Sequence, residues 1–288
     1  MQKLSFFYFL FISFGIVLTG QAQEKVGKGE IRAIYKNSVA PDSTKPHQLS
    51  YDTMFLEFSK ERSVYYNPQR RISDSLTYAS LLRSIKTGAN LDMKDFGNYR
   101  RTSTVIVHNY PEEQKITFYS ANIGNKPFVY EERQPLMQWQ IHEESKQING
   151  YNCQKASTQF RGRSYEAWFS SEVPTPFGPY KFYGLPGIIV SLKDSRGHFH
   201  FELIGVQRLP ADYTMITHYD SGEPRFKIVF ERISLKRYNQ EMKKYTEDPV
   251  AYLVAKRMNS PVSVEAKNPQ NQKKSQSIIY NPIELNED

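Results

Sequence analysis

Two stretches decide how this chain folds: Asn149-Gly150-Tyr151-Asn152-Cys153-Gln154-Lys155-Ala156, and Gly184-Leu185-Pro186-Gly187-Ile188-Ile189. In the first, Asn149-Gly150 sits between two runs of strand-forming residues. A type I′ hairpin needs positive φ at both central positions, and Asn-Gly supplies it at little cost. In the second, Leu185-Pro186-Gly187-Ile188 suits a type II turn, with Pro186 presetting φ and Gly187 taking φ > 0. That turn feeds an apolar strand over 188–192, which Asp194-Ser195-Arg196-Gly197 reverses into residues 198–204. Direct reversals of this kind join antiparallel neighbours; a parallel sheet would need helical crossovers between strands.

The same grammar extends outward. Residues 29–36 read as a first strand. Residues 52–59 and 62–66 read as a hairpin, with Met54, Leu56 and Phe58 alternating against Thr53, Phe55 and Glu57. Short strands follow over 103–109, 115–121, 126–132 and 136–142, spaced by turn residues. Helices are few. Leu76, Ala79, Leu82 and Ile85 give helical spacing over 74–86, ending at Gly88. Leu235, Tyr238, Met242 and Tyr245 mark a second helix with Ser234 as N-cap. Asp248 followed by Pro249 starts a third, running to about Met258, because Pro at the first helical position sacrifices no hydrogen bond. The expected fold is therefore α+β, mainly antiparallel β: a curled sheet or half-barrel with a few short helices. The 20 Tyr and 18 Phe of the sequence suit such a fold.

The ends set the expected compartment. Lys3, the apolar run 4–18 and Gly20-Gln21-Ala22 form a signal peptide over 1–22, with cleavage before Gln23. A run of about 15 apolar residues falls short of the ~20 that span a bilayer, so no transmembrane anchor is expected after cleavage. Cys153 is the sole cysteine. The first mature position therefore offers no thiol for lipid attachment, and no intrachain disulfide can form. A single β-rich domain is expected over 23–258. A flexible polar linker over 259–277 would follow, then a segment 278–288 docked on the domain, as an edge strand for instance. The net charge of +8 is spread along the chain, and no nucleic-acid motif accompanies it. The product is expected in the periplasm or cell envelope.

Several motifs in order resemble the GLPGLI family of exported bacterial envelope proteins. The hexapeptide is matched by 184–189 with one Ile for Leu. Gly150-Tyr151-x-Cys153-x-Lys155-Ala156, Arg161-Gly162-Arg163, Ala167-Trp168, Gly178-Pro179 and Asn281-Pro282-Ile283-Glu284-Leu285 also fit. The resemblance implies an envelope location and carries no established activity. At the level of fold, the order of strands also resembles the half-barrels of periplasmic lipoprotein carriers, which implies a concave face able to hold acyl chains.

Candidate site residues each have two readings. Arg161 and Arg163, on one face of a strand, could clamp an anion, or could cover the sheet with ion pairs to Glu143, Glu144 or Glu166. Trp168, Leu185 and Pro186 could line a ligand mouth or serve core and turn. His198 and His200, with Glu202, could bind zinc or copper, or could face solvent behind Phe199, Phe201 and Leu203. Cys153 could act as a nucleophile or as a small buried hydrophobe. No cofactor is expected. With no convincing catalytic set, the expectation is a non-enzymatic binding or carrier protein for a lipid, or another apolar or amphipathic ligand. The alternative is a structural or accessory protein that docks on an outer-membrane transporter or other envelope partner. A hydrolase built on Cys153 or on a His198/His200 metal ranks last.

Overall fold

A computed structural model describes residues 24–88, 90, 104–123, 126–218, 228–258 and 281–285. The signal peptide and the 259–277 linker lie outside the described residues. The strands are β1 (Lys25–Lys28), β2 (Ile31–Val39), β3 (Ser50–Phe58), β4 (Ser63–Tyr66), β5 (Val105–His108), β6 (Lys115–Ile123), β7 (Lys126–Arg133), β8 (Gln140–Ile148), β9 (Tyr151–Phe160), β10 (Arg163–Ser170), β11 (Ile188–Asp194), β12 (Phe199–Arg208), β13 (Thr214–Ile216) and β14 (Glu231–Arg232). Helices α1 (Pro68–Thr87), α2 (Leu235–Glu247) and α3 (Pro249–Met258) complete the described elements.

Twelve strands form one sheet, ordered β14-β7-β6-β5-β4-β3-β2-β12-β11-β10-β9-β8; β1 and β13 pair separately. The short β14 runs parallel to β7, and the other ladders are antiparallel, as Asn-Gly turns and short returns require. Among the described residues no ladder joins β14 to β8, so the sheet is open. It is also bent. Eight strand spacings separate β7 from β10, about 38 Å if flat, yet Arg161 beside β10 forms an ion pair with Glu132 of β7. One face therefore closes on itself around a core that includes Tyr35, Leu56, Ile106, Phe118, Tyr130, Phe160, Tyr165 and Phe201.

Local signals explain most boundaries. Asn149 (φ 51°) and Gly150 (φ 85°) make the two-residue turn between β8 and β9. Arg161 (φ 44°) and Gly162 (φ 79°) make a second such turn between β9 and β10. Arg161 is thus a turn residue and does not share a strand face with Arg163. Ser234 caps α2 through Arg237 N–H, and Asp248 Oδ1 accepts from Ala251 N–H at the start of α3. On α2, Tyr238 packs against Phe118 and Tyr130 and reaches Ser120 Oγ at 3.2 Å.

Three expectations are corrected. The helix expected over 74–86 begins at Pro68, capped by Asn67 Oδ1, and its Leu76 and Ile85 are exposed. The Pro68 start was legible by the same Pro-at-N1 rule that located α3. The strand expected over 136–142 begins only at Gln140. At 185–188 the positive φ belongs to Gly184 (102°), not Gly187. Gly187 is needed for another reason: a Cβ there would sit 2.1 Å from the Ser170 carbonyl oxygen. The motif is a close backbone crossing, not a type II turn.

Candidate functional site

The loop between β10 and β11 drives into the bent face. Gly178 N–H bonds Phe182 O at 2.9 Å and Gly184 N–H bonds Pro176 O at 2.8 Å, folding 176–184 into a tight tongue. Its Lys181 and Phe182 are fully buried. Phe182 meets Phe160, Tyr165 and Phe201. The concave face that would hold acyl chains in a half-barrel carrier is thus largely filled by the protein's own aromatics.

Lys181 carries a charge into this interior, where an unpaired ammonium would be costly. Its Nζ forms ion pairs with Glu132 and, at 2.7 Å, with Glu284, and donates to Tyr130 Oη at 3.0 Å. Arg161 pairs with the same two carboxylates, and Tyr180 Oη donates to Glu284. Two cations and two carboxylates balance. Burial pushes the Glu284 carboxyl up, but Lys181 and Arg161 outweigh that and hold it below its ordinary value. Nearby, Arg163 Nη1 pairs with Asp194 at 3.1 Å. Its Nη2 donates to Pro282 O at 2.7 Å and to Asn281 Oδ1 at 2.8 Å. Asn281 Nδ2 donates to Ala40 O, and Leu285 N–H to Arg161 O at 2.9 Å.

Residues 281–285 therefore lie across the bent face as a strap, and form no strand. Arg161 and Arg163 do clamp anions and carbonyls, and these belong to the same chain: Glu132 and Glu284 for Arg161, Asp194 and the Pro282 carbonyl for Arg163. The carboxylates that pair with them are not Glu143, Glu144 or Glu166.

Under the strap lies a cavity of about 220 Å³. Its apolar walls include Met54, Ile106, Phe199, Phe201 and Ile283; its polar lining is Asn37, Asp52, Tyr65, Thr104, Tyr180 and Asn281. The polar end is built by register. Asn37 of β2 stands opposite Asp52 of β3. Asn37 Nδ2 donates to Tyr65 Oη at 2.6 Å, while Asn37 Oδ1 is buried without a partner. Burial raises the Tyr65 phenol well above its ordinary value, so its proton stays in place. Larger hollows of about 400 Å³ beside Asn149 and Tyr151, and about 470 Å³ beside Gln138 and Gln159, are lined mainly by polar groups. The smaller cavity is the one with apolar walls and a polar end, the make-up of a ligand site.

None of the residues expected to bind ligand lines it. Trp168 lies on the opposite face of β10 from Tyr165, donates Nε1–H to Glu166 at 2.9 Å and is covered by Lys146. Leu185 is buried in the core, and Pro186 is exposed. His198 is buried, not solvent-facing, with Nδ1 3.4 Å from Arg163 Nη1. His200 meets Ser191 Oγ, and burial together with Lys193 lowers it to about 4. Among the described residues no group of three or more His, Cys, Asp or Glu side chains is placed to hold a metal ion. Cys153 is buried, and burial pushes its thiol up. One signal for the true lining was available: Ala33, Tyr35 and Asn37 share one face of β2, so an amide interrupts an inward apolar row.

Neither a family model nor a curated protein matches this chain. Two solved structures of PNGF-II, in space groups P21 and C2, are similar to it at TM-score 0.48 over 76% of this chain, with 14% and 13% identity. The chain spans about a third of their length, 34% and 33%. No helix among the described residues is long and apolar enough to cross a membrane.

Proposed function

We propose that this is an exported envelope protein of the GLPGLI type, without enzymatic activity, that binds a compact apolar or amphipathic ligand beneath its C-terminal strap. The observation that carries the reading is the 220 Å³ cavity with apolar walls and one unsatisfied buried acceptor. An apolar cavity of about 150 Å³ admits benzene, so this one has room for a single substituted ring or a short branched chain. Drug-sized ligands occupy about 300–1,000 Å³, so the part of a ligand held here is a smaller body. The signal-like N-terminus and the ordered motifs support the envelope location.

The test is to purify the mature protein from cell envelopes, extract it with organic solvent and look for a stoichiometric small molecule. The emptied protein is then melted with and without toluene. A bound species, or a toluene-dependent rise in melting temperature, is the expected result. Absence of both overturns the reading.

A second reading, an accessory protein docked on an outer-membrane partner, is favoured by the filled concave face around Phe182. In-cell crosslinking that yields only self-contacts counts against it.

A further inference from the structure

We infer that the cavity selects a neutral ligand that presents a hydroxyl group on a compact aromatic or branched body, and that Asn37 and Tyr65 read that hydroxyl. The inference rests on the cavity being a ligand site and adds the chemistry of what enters it.

Charge comes first. Among the described residues that line the cavity there is no Lys, Arg or His, whereas the Asp52 carboxylate is one of them. The cations that hold the strap are committed elsewhere: Arg161 and Lys181 to Glu132 and Glu284, Arg163 to Asp194 and the Pro282 carbonyl. A carboxylate ligand would meet no counter-charge and would bring acceptors against the Asp52 carboxylate and Asn37 Oδ1. Fatty-acid anions are disfavoured on this ground.

Hydrogen bonding comes second. Asn37 is 8% exposed, and its side chain points inward because Ala33 and Tyr35 share its face of β2. One end of its amide is used on Tyr65 Oη, and the other, Oδ1, is left bare. A buried acceptor without a partner is a standing cost that a ligand donor removes. The Tyr65 hydroxyl already accepts from Asn37 and retains its own proton to give. A hydroxyl is the smallest neutral group that donates to Oδ1 while accepting from Tyr65. The body it belongs to is mainly apolar, because Val39, Met54, Ile106, Phe199, Phe201 and Ile283 supply most of the remaining described wall.

The experiment compares three ligands with the same ring and methyl group: p-cresol, toluene and p-toluate, titrated calorimetrically into the full mature chain. We expect p-cresol to bind at least about tenfold more tightly than toluene, from one added buried hydrogen bond, and p-toluate to bind more weakly than either. Asn37→Leu, close in shape, is expected to abolish the preference while keeping toluene binding. Tyr65→Phe is expected to reduce the preference in a cavity of nearly unchanged shape. Equal binding of p-cresol and toluene by the wild type overturns the inference, as does tightest binding of p-toluate, or a preference that survives both variants. Toluene binding without a preference leaves the cavity reading standing. If none of the three binds, the cavity reading falls and takes this inference with it. Should Asn37→Leu fail to fold, the wild-type comparison and Tyr65→Phe still decide.

Discussion

Glu284→Gln isolates the ion cluster that ties the strap to the bent sheet. In the wild type, Arg161 and Lys181 face Glu132 and Glu284, and the Lys181 side chain is wholly buried while that of Glu284 is 14% exposed. Glutamine keeps the shape and leaves two buried cations sharing one carboxylate. Removing one partner from a buried pair costs about 3–5 kcal/mol. The strap is a local element, so part of that cost is relieved by its release, and ~2–4 kcal/mol is expected in guanidinium unfolding. At roughly 2–4 °C per kcal/mol for a domain of this size, the melting temperature should fall by about 4–16 °C. Acid provides an independent reading. A carboxyl held below its ordinary value of 4.5 contributes in full above that pH and loses its contribution as pH falls through the native value. The stability gap between wild type and Glu284→Gln should therefore be widest near neutrality and shrink below pH 4.5. A gap under about 0.5 kcal/mol at pH 7, the range of ordinary surface changes, or one that grows in acid, refutes the assignment of the cluster as the strap's anchor.

Other expectations concern the frame. Gly187→Ala should be severely destabilising, by more than about 3 kcal/mol, because its Cβ would strike the Ser170 backbone. Gly150→Ala has open space and should cost only the ~1 kcal/mol of a strained positive φ; similar urea midpoints for the two would contradict the crossing. Burial lowers His108 to about 4, and His200 is lowered likewise, so both are neutral in the native state. Their contribution is complete above the ordinary value of 6.5 and is lost as pH falls towards 4; the slope of denaturant midpoint against pH should flatten in a His108→Gln/His200→Gln variant. The buried Cys153 thiol should react with iodoacetamide only as fast as the protein opens, so labelling that outpaces unfolding would argue for an accessible cysteine.

Much of the architecture was legible because its signals are local. Asn149-Gly150 can satisfy two successive positive φ angles cheaply, so that hairpin follows from two residues. Ser234 and the Asp248-Pro249 pair mark helix starts for the same reason: a cap and its target lie within one turn. The alternation of Met54, Leu56 and Phe58 told which face of β3 turns inward. Elsewhere a distant partner decides, or a second local signal competes. In sequence Gly187 reads as a turn glycine, but its real constraint is the Ser170 backbone, brought there by strand pairing. Arg161-Gly162 was read as strand, although Gly after a residue tolerating positive φ was a second turn signal of the same form.

Residue type and spacing alone determined the antiparallel β character, the turns with their own φ requirements and the capped helices, since each depends on chemistry within a few residues. Tertiary structure alone decided which anion, which face is filled and where space remains. Glu284 meets Arg161 because a twelve-strand sheet bends until its far strands touch. The cavity exists because Asn37, Tyr65, Phe199 and Asn281, from four distant segments, fail to fill one volume. Packing between remote segments depends on the summed twist of the whole sheet, and no short stretch of sequence encodes that sum.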